Sequence, residues 1–375
     1  MSGRIGRNCK RRSNVPVTIQ KFKLSRFELP LSRIIGDSRM RFDRMWLGAL
    51  ELLDSHGQVG LGFCASLLSP LPPTRYLQEY FEREQWPHLL GAVPDSLLHR
   101  VARPRGGEIR SALFNLGNAI DQAIWDLAAK HADLPLFRYL GGTQPKVLAY
   151  ASGLCFPLSE EKLHRFYSGA AQLGYRAFKI KVGHQDPSWD ARRLNLVTEA
   201  VGPGARLMVD ANEAWTTNET LRRVRRFEAA GHEIHWVEDP ILRTDFVGLR
   251  YLRDSLGHAQ VNSGEYLDLE AKLALIAAEG VDIVNINDGI SDGLRVARAC
   301  AAKGVPVTLG NTIMNIGAHL AAALPEVDMI EDSQLDWTRI IAEPIPIRDG
   351  YFVLSERPGH GLALATDAVR EFLTH

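Results

Sequence analysis

The chain has 375 residues, 45% apolar and 23% charged, ordinary for a soluble globular protein and long enough for a large core and two structural domains. Lys and Arg total 44, as do Asp and Glu, so no charge excess points to nucleic acid or an anionic membrane as a partner. Cys9, Cys64, Cys155 and Cys300 lack metal-ligand spacing and make a poor disulfide framework, and no apolar run approaches a membrane span; the cytoplasm is the expected location.

Residues 1–14, MSGRIGRNCKRRSN, are basic and have no apolar stretch behind them. They read as a disordered basic tail and not as a secretory signal. Val15–Glu28 and Arg44–Gly62 read as strands, the second folding into a hairpin at Ser55-His56-Gly57. Leu31–Asp43 between them reads as a long polar loop, a common place for function. Its Arg33, Arg39 and Arg41 could face an anionic ligand; solvated surface arginines are the simpler reading. Ser66–Thr74 reads as irregular. Tyr76–Glu84 and Asp95–Arg103 are short helix candidates. Ile109–His131 is the strongest, with apolar residues from Ala112 to Leu127 at a helical period. Residues 15–140 thus look like a small α+β domain, closed by Gly141-Gly142.

From Lys146 the texture becomes regular. Val147–Ser152, Ala177–Lys181, Leu207–Asp210, His235–Glu238, Gln260–Ser263, Ile283–Ile286, Pro306–Leu309 and Met329–Glu331 read as strands. Helical stretches such as Glu160–Leu173, Ala191–Ala200, Glu219–Ala230, Glu270–Glu279 and Leu294–Lys303 fall between them. That alternation is the count of a (β/α)₈ barrel over residues 141–345. The last helix is weak or missing, because the chain after Glu331 runs into a proline-bearing stretch. Residues 346–375 are expected to return to the first domain.

Within the barrel, FKIKVG, LMVDAN, WVEDP and VNSGE are short apolar runs each ending in charge. Asp210, Glu238 and Glu265 follow at intervals of 28 and 27 residues, about one strand–helix unit. Carboxylates at the C-terminal ends of successive parallel strands converge on one face of a barrel. Three hard oxygen donors suit Mg²⁺, which keeps open positions for substrate. One unit earlier, Lys179 and Lys181 are two apart on a strand and point to the same side.

These motifs, with LFNLGNAIDQAIWDLAAKHADLPLFRYLGG, DGLRVARACAAKGVPV and RDGYFVLSERPGHGLAL, resemble the enolase superfamily in its mandelate racemase and muconate lactonizing enzyme branch. The resemblance covers roughly residues 15–370. It implies an α/β fold, a modified (β/α)7β barrel with an α+β capping domain formed by the N-terminal region and the C-terminal tail, and Mg²⁺-dependent abstraction of the proton α to a carboxylate. By the resemblance, Asp210, Glu238 and Glu265 would bind the metal and Lys181 would be the base. Lys179 would lower the pKa of Lys181 and touch the substrate carboxylate. Glu331 would reach the same carboxylate, and Asn212 and Asp239 would stand just behind the ligands. Asn212, Asn287, Arg33 and Arg41 complete the candidate substrate contacts. A small-molecule carboxylate is the expected partner, and a homo-oligomer the expected assembly.

The branch often carries a second catalytic group facing the base. Counting back from Asp292-Gly293, that position on the sixth strand is Asn287; on the seventh it is Gly310. Neither is an acid or base. A slip of one residue would bring in Asp288, and His319 fits a helix interior as a structural residue. A one-sided site argues against racemisation and permits syn elimination, and LPLSRIIGD and GQVGLGF resemble sugar-acid dehydratases. The leading expectation is dehydration of an aldonate, aldarate or tartrate-like acid. The alternatives are an epimerase or cycloisomerase of the same superfamily, a metal-binding pseudoenzyme, and, last, a phosphate-binding barrel using LGNT near Gly310.

Overall fold

The structure is a computed structural model, and it describes residues 16–98, 112–287 and 289–374, with backbone alone for 112–115. The basic tail, the end of the Asp95–Arg103 candidate, the start of Ile109–His131 and Asp288 lie outside the described residues.

Three antiparallel strands open the chain: β1 (Ile19–Gly36), β2 (Arg41–Asp54) and β3 (Val59–Ser66). The turn at 55–57 is where it was expected, held by Asp54 Oδ1 accepting from the His56 and Gln58 amides. The polar loop Leu31–Asp43 is not a loop. β1 and β2 run through it, and only 37–40 turn, with Asp37 Oδ1 accepting from the Arg39 and Met40 amides. Pro30 interrupts the ladder and shifts its register, after which Ile35 pairs with Phe42 and is buried. The alternation resumes out of phase, which is why the stretch does not look like a strand.

Helices Thr74–Glu84, Trp86–Leu89 and Pro94–Leu97 follow, then the long helix Ala112–His131 and the turn Leu136–Tyr139. The long helix lies flat on β3 because Gly60 and Gly62 carry no side chain. A Cβ there would come within 2.2 Å of the Ala123 carbonyl and 1.9 Å of the Ala119 carbonyl. Gln122 and Asp126 accept hydrogen bonds from the Phe63 and Leu61 amides across the same contact.

The barrel is built from β4 (Lys146–Ser152), β5 (Ala177–Lys181), β6 (Arg206–Asp210), β7 (Ile234–Glu238), β8 (Gln260–Ser263), β9 (Ile283–Ile286), β10 (Val307–Leu309) and β11 (Val327–Asp332). All pair in parallel, and β11 closes on β4. Helices 160–172, 187–201, 217–229, 246–255, 269–277, 290–303 and 317–321 connect them. Five start on a capping side chain, Ser159, Asp186, Thr216, Asp245 and Asp268, each accepting from a first-turn amide. After β11 comes a 3₁₀ turn, Asp336–Ile340. β12 (Ile347–Arg348) and β13 (Tyr351–Val353) form a small hairpin against β4. Helix Thr366–Phe372 then leads into β14 (Leu373–Thr374), which pairs with β1. No helix among the described residues is long and apolar enough to cross a membrane.

Inside the barrel, Tyr150, Ala177, Met208, Trp236, Ile283 and Met329 form a buried apolar floor. Strand period two places Lys179, Lys181, Asp210, Glu238, Asn285 and Glu331 on the same inward side, toward the C-terminal mouth. The β1–β2 hairpin tip lies over that mouth: the Gly36 amide donates to the Leu154 carbonyl beyond β4, and Arg39 reaches the loop after β6.

Candidate active site

Lys179, Lys181, Asp210, Glu238, Glu265 and Glu331 are all buried at the mouth. Lys179 Nζ lies 2.8 Å from Glu238, 3.3 Å from Glu331 and 3.5 Å from Asp210. It also stands 5.5 Å above the Tyr150 ring. Lys181 Nζ pairs with Asp210 at 2.5 Å. Asn285 Nδ2 donates to the other oxygen of Glu238 at 3.0 Å. None of the described residues makes a hydrogen bond or an ion pair with the Glu265 carboxylate, which follows Gly264 at φ 115°.

Burial raises the Glu238 carboxyl well above its ordinary range despite Lys179, and it pushes Glu265 up to about 7. Burial also pushes Asp210 up, but the two ammoniums outweigh it and hold that carboxyl low. For both lysines burial favours the neutral amine, yet the carboxylates win and each is raised. Lys179 does push Lys181 down, as expected, but Asp210 at contact distance more than offsets it.

Four buried carboxyls thus face two ammoniums, and the excess acid is relieved by holding protons on Glu238 and Glu265. The excess and the hard oxygen donors fit a divalent cation. The side chains are not arranged around one: among the described residues no three His, Cys, Asp or Glu stand in a metal-holding group. Asp210 and Glu238 are turned onto the lysines instead.

The other predicted residues separate. Asn212 is at the mouth; its amide donates to Asp210 Oδ1, and its own Oδ1 is buried without a partner. Glu331 accepts from the Ser333 hydroxyl at 3.1 Å and lies 3.5 Å from the Tyr150 hydroxyl. Asn287 lines a small cavity with Asn118, Gln122 and Thr312, under the long helix. Gly310 leaves room for the Asn285 amide, whose Oδ1 would sit 2.8 Å from a Cβ there. Arg33 is not open to a ligand. Its guanidinium donates to the Gly153 and Ser333 carbonyls, stapling the hairpin to the loops after β4 and β11. Arg41 is exposed on the hairpin. His319 is buried, bonded through Nε2 to the His360 carbonyl, and burial pushes its pKa to about 3; it is structural, as expected. Tyr150, Asn285 and Ser333 had no signal in the sequence beyond their place on or next to a strand.

The family model described as enolase C-terminal domain-like matches residues 162–368. The chain is 29% identical over 371 residues to 3,6-anhydro-alpha-L-galactonate cycloisomerase of Streptomyces coelicolor, covering 92% of this chain and 97% of the relative. It superposes with a TM-score of 0.91 on a Mesorhizobium loti structure provisionally described as a mandelate racemase, at 44% identity and 95% of both chains. L-talarate/galactarate dehydratase from Salmonella typhimurium, liganded with Mg and L-lyxarohydroxamate, superposes at 0.82 with 26% identity, over 98% of this chain and 95% of that one. Further curated relatives are named as sugar-acid dehydratases and dipeptide epimerases. A barrel with this donor set, matched by that family model over more than half its length, belongs to the enolase superfamily, in the mandelate racemase and muconate lactonizing enzyme branch.

Proposed function

We propose that the protein catalyses Mg²⁺-dependent abstraction of the proton α to a carboxylate, followed by loss of the β-oxygen, and that its substrate is an aldonate, aldarate or tartrate-like acid leaving as a 2-keto-3-deoxy acid. The observation that carries this reading is the buried set of Lys179, Lys181, Asp210 and Glu238, with unpartnered Glu265 beside it. We read the fold beneath it as a modified (β/α)7β barrel, capped by the described residues of 15–140 and 346–375.

Asp210, Glu238 and Glu265 would hold the ion, which when bound supplies Lewis-acid stabilisation of charge on the substrate carboxylate. Lys181 would take the α-proton as the neutral amine, which requires Asp210 to turn away from its Nζ, and the C–H electron pair moves into the carboxylate as an enediolate. The Lys179 ammonium, held over Tyr150, lies where it can compensate that second negative charge. The pair then returns to form the Cα–Cβ double bond as the β C–O bond breaks. The β-hydroxyl leaves as water, taking the proton that Lys181 holds on the same face, and the enol tautomerises to the ketone. A Lys or His base with Mg²⁺ is the general pattern of this superfamily.

Among the described residues, Asn287 and Gly310, the positions that the resemblance sets opposite the base, are neither acid nor base, which favours elimination from one face over inversion. A second reading follows from the cycloisomerase relative, matched nearly end to end. If the β-oxygen is tethered in a ring, the same proton abstraction opens the ring and no water is lost.

The test is ¹H NMR of a sugar-acid panel, including cyclic anhydro acids and lactones, in D₂O with Mg²⁺. Loss of the α-proton signal with a new 2-keto-3-deoxy product is expected. Lys181→Ala should lower the rate by about 10²–10⁴-fold, as for loss of a positioned base. Ring opening without water loss would move the assignment to cycloisomerase, and exchange with inversion to epimerase. Full activity of Lys181→Ala would remove the mechanism.

A further inference from the structure

Behind the carboxylates a line of charges runs from the hairpin tip into the barrel loops. Arg39 Nη2 donates to the Asn212 carbonyl at 2.8 Å and to Glu213 Oε2 at 3.2 Å. Glu213 Oε1 accepts from the Arg243 amide at 2.9 Å and ion-pairs with its guanidinium at 2.9 Å. Arg243 Nη2 pairs with Asp239 Oδ2 at 2.9 Å, and Asp239 Oδ1 accepts from the Ser263 hydroxyl at 2.5 Å. The Arg243 guanidinium also lies 4.8 Å over the Tyr266 ring.

Each contact falls beside a carboxylate of the mouth. Asn212 and Glu213 follow Asp210; Asp239 follows Glu238; Ser263 and Tyr266 flank Glu265. The backbone is strained at the same places. Asn212, Glu213 and Asp239 have φ of 46°, 63° and 39°, a conformation that side-chain-bearing residues keep only where their surroundings impose it. The Arg243 side chain touches all three loops, at Glu213, Asp239 and Tyr266, and it is only 8% exposed.

Resting on the reading of Asp210, Glu238 and Glu265 as metal-binding, we propose that Glu213 and Arg243 are positioning residues that set the three carboxylate-bearing loops for the ion, and that Arg39 makes this setting depend on the seated hairpin tip. None of the three is among the proposed ligands or the base; each acts through the loops that carry them. Arg39 is 54% exposed, and such a pair adds little to global stability. Its effect is local: it holds the Asn212 peptide and one Glu213 oxygen. Ion affinity and closure of the hairpin over the mouth are thereby coupled, in both directions.

The experiment measures Mn²⁺ binding to the full chain by electron paramagnetic resonance, with melting temperature recorded alongside. Arg243→Ala should weaken Mn²⁺ by about 10–100-fold, the usual consequence of losing a group that orients a ligand. Arg243→Lys should recover part of that, since one ammonium can reach one carboxylate. Arg39→Ala should weaken Mn²⁺ roughly fivefold with melting unchanged. Arg44→Ala, on β2 of the same hairpin and paired with Glu28 and Asp43, should leave both unchanged. Wild-type binding that Arg39→Ala and Arg243→Ala leave intact overturns this inference alone. A wild-type chain that binds no Mn²⁺ overturns the metal reading and this inference with it.

Discussion

Asp121 shows what burial costs a carboxylate away from the mouth. It lies on the long helix, is buried, and accepts from the Ser291 amide at 3.0 Å and hydroxyl at 2.5 Å. Burial outweighs those hydrogen bonds and pushes its carboxyl up to about 6. The folded state therefore holds this proton more tightly than the unfolded one. The associated stability is fully present below about pH 4 and is lost as pH rises through about 6, a difference on the order of 3 kcal/mol. Asp121→Asn keeps an acceptor for the Ser291 amide and removes the charge. Scanning calorimetry from pH 4 to pH 8 should show the variant more stable at pH 8, with a flatter dependence between 4 and 6. An unchanged slope would mean that the carboxylate finds compensation elsewhere. At this scale the sequence is informative where a residue's place is dictated by strand period: Lys179, Lys181, Asp210 and Glu238 are legible because two-residue alternation and the strand end decide which way they point. Arg33 and Arg39 are not, because their partners lie 120 and 173 residues away. An arginine on a polar stretch looks the same whether it awaits an anion or clasps a carbonyl. Glu213 stood within reach, next to the MVDAN motif, but nothing local ties it to Arg243.

The elements most legible in the chain are the barrel strands. A parallel strand covered on both faces is an unbroken apolar run, so Ala177–Lys181 and Ile283–Ile286 declare themselves with their boundaries. The hairpin tip hides because a register shift after Pro30 breaks the alternation that would reveal it. The helix–sheet contact is a third case: Gly60 and Gly62 look like weak strand residues, yet they are what lets the long helix lie against β3. Gly62→Ala would push a methyl into the Ala119 carbonyl, whose position is fixed by the helix itself. A loss of about 1–3 kcal/mol or more is expected from such overpacking, read as a lower melting temperature. Gly169→Ala is the matching control. It lies in helix 160–172 with nothing within 4 Å of the new methyl, and it should stabilise by about 0.5–1 kcal/mol. Equal effects of the two substitutions would show that the close approach at β3 is not what holds the helix in place.

For the whole molecule, the charge imbalance at the mouth links folding to the ion. The described structure buries Asp210, Glu238, Glu265 and Glu331 around Lys179 and Lys181, and burial makes the anions of Glu238 and Glu265 costlier in the folded chain than in the unfolded one. An ion that binds the folded state alone stabilises it by about 2.7 kcal/mol at a hundred times its dissociation constant. Mg²⁺ should therefore raise the melting temperature, and chelation should return it to the metal-free value. Glu265 separates this effect from nonspecific salt. It has no hydrogen-bond or ion-pair partner among the described residues, so Glu265→Gln removes a carboxyl whose anion burial disfavours, without breaking a bond. The variant should melt at or above the wild type when metal-free and lose most of the Mg²⁺-dependent rise. If it instead melts lower without metal, Glu265 is already compensated in the folded chain; if the rise survives intact, the ion sits elsewhere. Either result would detach the three carboxylates from one another and leave Lys181 without the neighbouring charge that its work as a base requires.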